Sequence, residues 1–232
     1  MLKTPLVVVN FKTYTEAAGE RAVKLAKIIA EVGRENGVSV AVAPQAFDIY
    51  GIAKEVGIPV LAQHLDSFEP GKHTGWLLPE AAREAGAVGA LVNHSEHSLQ
   101  LSVIDLIVKR LRGLGMVSLV CGRDVEASRE VAALAPDMVA VEPPELIGTG
   151  RAVSKVKPEV VSDTVRGVHE VNPKVRVLCG AGIASGEDAR LSLELGAEGV
   201  LLARAITCAT DPRAAILDIV QGVAKFKKQH GR

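Results

Sequence analysis

The sequence carries no net charge, with 27 Lys+Arg against 27 Asp+Glu in 232 residues. A nucleic-acid partner favours a basic face, and none is provided here. Balanced charge is compatible with self-association. Long apolar runs are missing as well. The N-terminal stretch MLKTPLVVVNFKTY holds one short apolar run, too brief to span a membrane and without a signal-peptide cleavage pattern. Neither a membrane nor a nucleic acid is therefore expected as a partner. Cysteine is scarce: Cys121, Cys179 and Cys208 form no C-x-x-C pair. That argues against a disulfide framework or a zinc site and points to a reducing, cytoplasmic compartment. Cys121 and Cys179 each close an apolar run just before Gly and read as small core residues. The six histidines lack H-E-x-x-H spacing, so no metal is expected.

What is present is an alternation of two textures. Short β-branched runs occupy Leu6–Asn10, Val38–Ala43, Val60–Gln63, Val88–Asn93, Val117–Cys121, Met138–Val141, Val175–Cys179 and Gly199–Ala203, eight in all. Between them lie segments of helical periodicity such as Ala22–Glu35 and Ser98–Leu114. In the last one, Ile216, Ile219, Val220 and Val223 fall at i, i+3, i+4 and i+7, and Asp211-Pro212 supplies a capping acid and a proline start. Ser185 with Asp188 reads as a capping box for the preceding helix. A weak repeat recurs in RENGVSVAVA, AKEVGIPVLA, AREAGAVGALV, LRGLGMVSLV and LELGAEGVLLA: helix end, Gly, strand. The strands are nearly all apolar, as parallel strands covered on both faces should be. With no linker or break in composition, the reading is α/β: a single domain over 1–232 forming a closed (β/α)8 barrel. A doubly wound open sheet is the alternative, but no G-x-G-x-x-G follows the first strand.

In such a barrel the chemistry sits at the C-terminal ends of the strands. Those ends carry Asn10-Phe11-Lys12, Asn93-His94-Ser95-Glu96 and Glu142-Pro143-Pro144. Gly-rich loops follow the sixth and seventh strands, at Gly148-Thr149-Gly150 and Gly180-Ala181-Gly182. Loops of that kind offer backbone N–H groups to a phosphate. A small phosphorylated substrate fits this set. Glu142 suits proton abstraction from carbon, His94 polarisation of a carbonyl, Lys12 balancing of negative charge, and Asn10 orientation of either. The polar loop Glu69-Pro70-Gly71-Lys72-His73-Thr74-Gly75 offers a partner contact.

Taken in order along the chain, Asn10-Phe11-Lys12, Asn93-His94-Ser95-Glu96 and Val141-Glu142-Pro143 with Ile147-Gly148-Thr149-Gly150 resemble the triosephosphate isomerase family. The short length, the Pro-Pro-Glu-Leu loop and the Gly-Ala-Gly-Ile segment are similar to its archaeal branch. The resemblance implies interconversion of dihydroxyacetone phosphate and glyceraldehyde 3-phosphate, in glycolysis and gluconeogenesis, with no cofactor. Glu142 would be the base and His94 the neutral electrophile. Lys12 would act electrostatically, with Glu96 as its partner and Asn10 beside it. Asn10, Phe11, Lys12, Ile147, Gly148, Gly182, Ala203 and Arg204 would contact the substrate, the last five at its phosphate. Residues 143 to 150 would form a lid. Thr74 matches a residue that reaches into a neighbouring subunit's site, which implies a homodimer or homotetramer.

Three positions depart from the family pattern. Cys179 stands where many relatives have Tyr, Gly182 replaces a frequent Ser, and Arg204 takes a place where small residues are usual. Two rival functions stay open: an aldolase forming a Schiff base on Lys12, and a non-catalytic barrel serving as a scaffold.

Overall fold

The computed structural model describes residues 2–231. Eight parallel strands follow one another: β1 (Leu6–Asn10), β2 (Ser39–Ala43), β3 (Leu61–Ala62), β4 (Gly89–Val92), β5 (Val117–Gly122), β6 (Met138–Val141), β7 (Arg176–Cys179) and β8 (Gly199–Leu202). The main helices of the outer layer are α1 (Glu20–Glu35), α2 (Ile49–Glu55), α3 (Pro79–Glu84), α4 (Leu101–Gly113) and α5 (Val125–Ala132). After β6 come α6 (Val153–Val156) and α7 (Pro158–Val171), then α8 (Gly186–Glu194), α9 (Arg204–Thr207) and α10 (Pro212–His230). The strand order is β2-β1-β8-β7-β6-β5-β4-β3.

Closure of this barrel is incomplete, which corrects the expectation of a sealed one. Between β2 and β3 only Val42 and Val60 are bridged, with Val42 N–H donating to the Pro59 carbonyl at 3.1 Å. Accordingly β3 shrinks to two paired residues, although Val60–Gln63 looks like its neighbours in sequence. The other strands begin and end within about one or two residues of their apolar runs, as boundaries drawn from pattern alone usually do.

The period-2 alternation of a strand divides the apolar residues into two cores. Leu6, Val8, Ala41, Leu61, Leu91, Leu119, Met138, Ala140, Leu178 and Leu201 fill the barrel interior. Val7, Val9, Phe11, Val40, Val92, Val120, Val139, Val177 and Val200 face the helices and pack on residues such as Ile29, Ile107, Val161 and Ile219. Both faces of every strand are thus buried, which explains strands written almost wholly in Val, Leu and Ala.

Helix boundaries follow from their caps. Asp211 accepts the Ala214 N–H at 3.0 Å with Pro212 at the first position of α10, and Ser185 and Asp188 form a reciprocal capping box at α8. Four of the five repeat glycines, Gly37, Gly86, Gly115 and Gly196, take positive φ where a helix hands over to the next strand. No helix of the described residues is long and apolar enough to cross a membrane.

Candidate active site

A cavity of about 420 Å³ opens at the C-terminal mouth of the barrel. Asn10, Lys12, His94, Glu142, Ile147, Gly148, Gly182, Ala203 and Arg204 all line it. Strand parity explains two of these arrivals. In β1, Leu6 and Val8 point into the barrel, and Asn10 is next on that face. In β6, Met138 and Ala140 point inward and Glu142 follows them. Phe11 is one step out of phase, and its side chain is fully buried in the outer core rather than in the cavity.

His94 breaks the parity. Leu91 faces inward and Val92 outward, so His94 would point at the helices if the strand simply continued. Asn93 prevents this by taking φ +61. Its side chain compensates, with Nδ2 donating to the Cys121 carbonyl at 3.0 Å and Oδ1 accepting the Leu99 N–H at 2.8 Å. Lys12 (φ 47) and Ala181 (φ 67) are also left-handed, so among the described residues three of the four non-glycine positions with positive φ lie at this mouth. Such backbone strain gathers where surrounding structure over-determines a site.

The polar geometry orients the imidazole. His94 Nδ1 accepts the Glu96 N–H at 3.2 Å, which leaves Nε2 as the ring nitrogen turned to the cavity as a donor. That nitrogen lies 3.6 Å from Glu142 Oε2. Both side chains are about 7% exposed, and Glu142 Oε2 is buried with no hydrogen-bond partner. A desolvated carboxylate oxygen without a partner is costly unless a ligand completes it. Gly180 makes room for this side chain, because a Cβ there would fall 2.3 Å from Glu142 Cγ.

Lys12 pairs with Glu96 at 2.6 Å, and its backbone N–H donates to Asn10 Oδ1 at 2.9 Å. Glu96 stands behind Lys12 and does not line the cavity. Gln63, which the sequence offers only as a strand end, donates through Nε2 to the carbonyls of Lys12 (2.8 Å) and Ala43 (2.9 Å). Tyr14 and Cys208 also line the cavity, and no spacing in the sequence marks either. Beneath the mouth, burial first and then the nearby Glu142 carboxylate push the Cys121 thiol well above its usual range. Burial likewise raises Cys179 to about 12. Both sulfurs are protonated packing groups at neutral pH.

At the other end of the cavity, Ala181 and Gly182 turn the chain under successive positive φ, and Ala203 caps α9. Arg204 is exposed there and makes no ion pair among the described residues. The segment 143–150 borders this region, with Ile147 to Gly150 in the cavity wall and several hydrogen bonds within the segment. Pro144–Leu146 form a 3-10 turn, Thr149 Oγ1 donates to the Leu146 carbonyl at 2.8 Å, and Leu146 is buried. Glu145 pairs with Lys157 at 2.6 Å across its base. Among the described residues, no group of three or more His, Cys, Asp or Glu side chains is arranged to hold a metal ion.

Comparisons with known proteins converge on one family. A family model described as triosephosphate isomerase matches residues 5–223. The triosephosphate isomerase of Methanobacterium bryantii is 53% identical over 221 residues, covering 95% of this chain and 98% of the relative. That of Methanothermus fervidus is 54% identical over 216 residues, covering 93% and 97%. A crystal structure of triosephosphate isomerase from Bartonella henselae superposes with a TM-score of 0.76 over 94% of this chain and 98% of that one. At 19% identity, it speaks to the fold alone.

Proposed function

The chain belongs to the triosephosphate isomerase family, and from that premise we propose how its own residues interconvert dihydroxyacetone phosphate and D-glyceraldehyde 3-phosphate. Glu142 takes a proton from C1 of the ketose, and the electron pair moves into the carbonyl to give an enediolate. His94 Nε2–H stabilises the developing oxyanion and passes protons between O1 and O2. Glu142 then returns its proton to C2. Atoms and electrons balance within the substrate, Glu142 and His94. The observation that carries this reading is the pairing of a buried carboxylate oxygen lacking any hydrogen-bond partner with the imidazole Nε2 3.6 Å away. A carbon acid needs a base and an electrophile that arrive together and already desolvated.

Lys12 sits across the cavity and supplies positive charge to the enediolate, held at its post by Glu96 and Asn10. Its engagement with a carboxylate at 2.6 Å also disfavours a role as a free amine nucleophile. Ile147, Gly148, Gly182, Ala203 and Arg204 contact the phosphate: Gly148, Gly182 and Ala203 through backbone N–H groups, Arg204 through a guanidinium without another partner among the described residues, and Ile147 as part of the wall, since its N–H is donated to the Pro144 carbonyl at 3.2 Å. The lid 143–150 excludes water, which strengthens these contacts and protects the intermediate.

A coupled assay in the glyceraldehyde 3-phosphate direction tests the reading. Glu142→Gln should lower kcat by roughly 10²–10⁴-fold, the worth of a positioned general base, with unchanged thermal stability. Turnover near the parent's would remove Glu142 from the mechanism.

The active form is at least a homodimer, with a homotetramer as the further expectation. Supporting this, the loop between β3 and α3 projects Thr74 and Trp76 into solvent and is braced from within. Phe68 stacks on His73 at 4.4 Å and meets Trp76 edge-on at 4.8 Å. An aromatic left 54% exposed on a braced loop suits a protein partner. Sedimentation of the protein as a monomer at micromolar concentration would refute this.

A further inference from the structure

We infer that Asp188 is a positioning residue that joins the phosphate-facing loop and the foot of the lid into one rigid unit, so that grip on the phosphate depends on a side chain outside the cavity. The inference rests on the phosphate reading above. Asp188 is 3% exposed and does not line the cavity. Its Oδ2 accepts two backbone N–H groups, from Ala184 at 3.0 Å and Ser185 at 2.9 Å. Ala184 lies two residues beyond Gly182 and is part of the cavity wall. From the other side comes α6, which begins three residues after the lid's Gly150. Ser154 Oγ donates to the Asp188 carbonyl at 3.2 Å, and Lys155 Nζ lies 2.6 Å from Oδ1.

The backbones agree with the side chains. Val153 N–H donates to the Ala181 carbonyl at 3.3 Å. A Cβ on Gly182 would fall 2.1 Å from the Arg151 carbonyl oxygen, so the lid's foot lies directly on the phosphate loop. A plain helix cap would account for the two bonds to Oδ2 and for the box with Ser185. It leaves the Lys155 pair to Oδ1 without a reason, and that pair comes from the lid's foot, beside the Ser154 bond to the Asp188 main-chain carbonyl. Burial works to raise the Asp188 carboxyl, yet Lys155, the Ala184 N–H and the Ser185 side chain outweigh it and hold the acid below its usual range. Asp188 therefore stays charged, and a charged buried oxygen holds its lysine.

The test compares the parent with Lys155→Met, Asp188→Asn and Asp188→Ala on two substrates: dihydroxyacetone phosphate, and phosphate-free D-glyceraldehyde followed by deuterium exchange at carbon. Lys155→Met and Asp188→Asn should lower kcat/KM on the phosphate ester by about 10- to 100-fold, chiefly through KM, as a slight misplacement of the gripping loop would. Turnover of glyceraldehyde should stay within about twofold, since Glu142 and His94 are untouched. Asn, which keeps the cap, should retain more activity than Ala. Equal losses on both substrates, or no loss on the ester, would overturn the inference. Should Asp188→Ala fail to fold, Lys155→Met still decides, because it leaves the cap intact. Should the parent turn over neither substrate, the isomerase reading fails by itself. Calorimetric titration with inorganic phosphate then decides this one: weaker binding by Lys155→Met supports it and equal binding refutes it.

Discussion

Adding one methyl group at Gly180 should disable Glu142 without touching it chemically. The added Cβ would stand 2.3 Å from Glu142 Cγ and 2.8 Å from both Cδ and Oε1. Carbon atoms rest at about 3.5–4.0 Å, so one side must yield by roughly 1.2 Å or more. Gly180 directly follows β7 and is tied to its neighbour, with its N–H donating to the Val141 carbonyl at 2.9 Å, so the carboxylate side chain gives way first. Its φ is outside the left-handed region, so alanine adds volume but no torsional strain. A misplacement of about 1 Å at a reacting group costs on the order of 10²-fold in rate. Overpacking of a filled interior costs about 1–3 kcal/mol. At this chain length that is a fall in Tm of about 2–4 °C for each kcal/mol. Gly180→Ala should therefore unfold cooperatively at a modestly lower temperature, with kcat reduced about 10²-fold in the coupled assay. A folded variant whose kcat lies within threefold of the parent's would show that Glu142 has slack there, and the close-packing argument for its aim would fall.

Other outcomes follow from the same geometry. Lys12→Met should raise KM and lower kcat together, because its charge faces both substrate and enediolate; a change in only one would assign Lys12 to that step alone. In the native protein at pH 8, iodoacetamide followed by peptide mass analysis should label the part-exposed Cys208 and leave Cys121 and Cys179, both buried and held protonated, unmodified. Rapid labelling of either buried thiol would contradict their packing. Asp188 has a folded-state pKa below its ordinary value, so the unfolded chain binds the proton first. Its contribution to stability is complete above about pH 4 and is lost as pH falls below that. Urea midpoints measured from pH 5 to 2.5 should thus decline less steeply for Asp188→Asn than for the parent, and parallel curves would refute the linkage.

Much of the site is written in the strands themselves. A strand that buries both faces has no reason to end on an acid or an amide unless that residue meets the barrel mouth, and parity carries Asn10 and Glu142 there from Leu6 and Met138. His94 is legible only through its motif, because parity alone sends it outward; the left-handed turn at Asn93 corrects it. Phe11 shows the opposite: adjacency to Lys12 suggests a ligand contact, and alternation buries it among the helices. Gly180 reads as one of several phosphate-loop glycines, whereas its empty side faces a carboxylate 38 positions earlier in the chain. Asp188 is visible as a cap, but the lysine it holds belongs to another helix, and no local pattern announces such a pair. The weak edge at β3 is equally silent, since pairing depends on where the neighbouring strand runs and not on how apolar the segment is.

That weak edge has a consequence for how the protein breathes. With one bridge between β2 and β3, the ring is in hydrogen-bonding terms a ribbon whose two ends are neighbours in sequence, joined through the seven-residue α2. At the mouth, the side-chain amide of Gln63 stands in for missing backbone rungs by reaching both the Ala43 and Lys12 carbonyls. Amide protons of β3 should exchange with solvent sooner than those of β4 to β6. Each such opening would loosen the hold of Gln63 on the Lys12 carbonyl, so the easiest breathing of the barrel wall and the aim of its cation share one hinge.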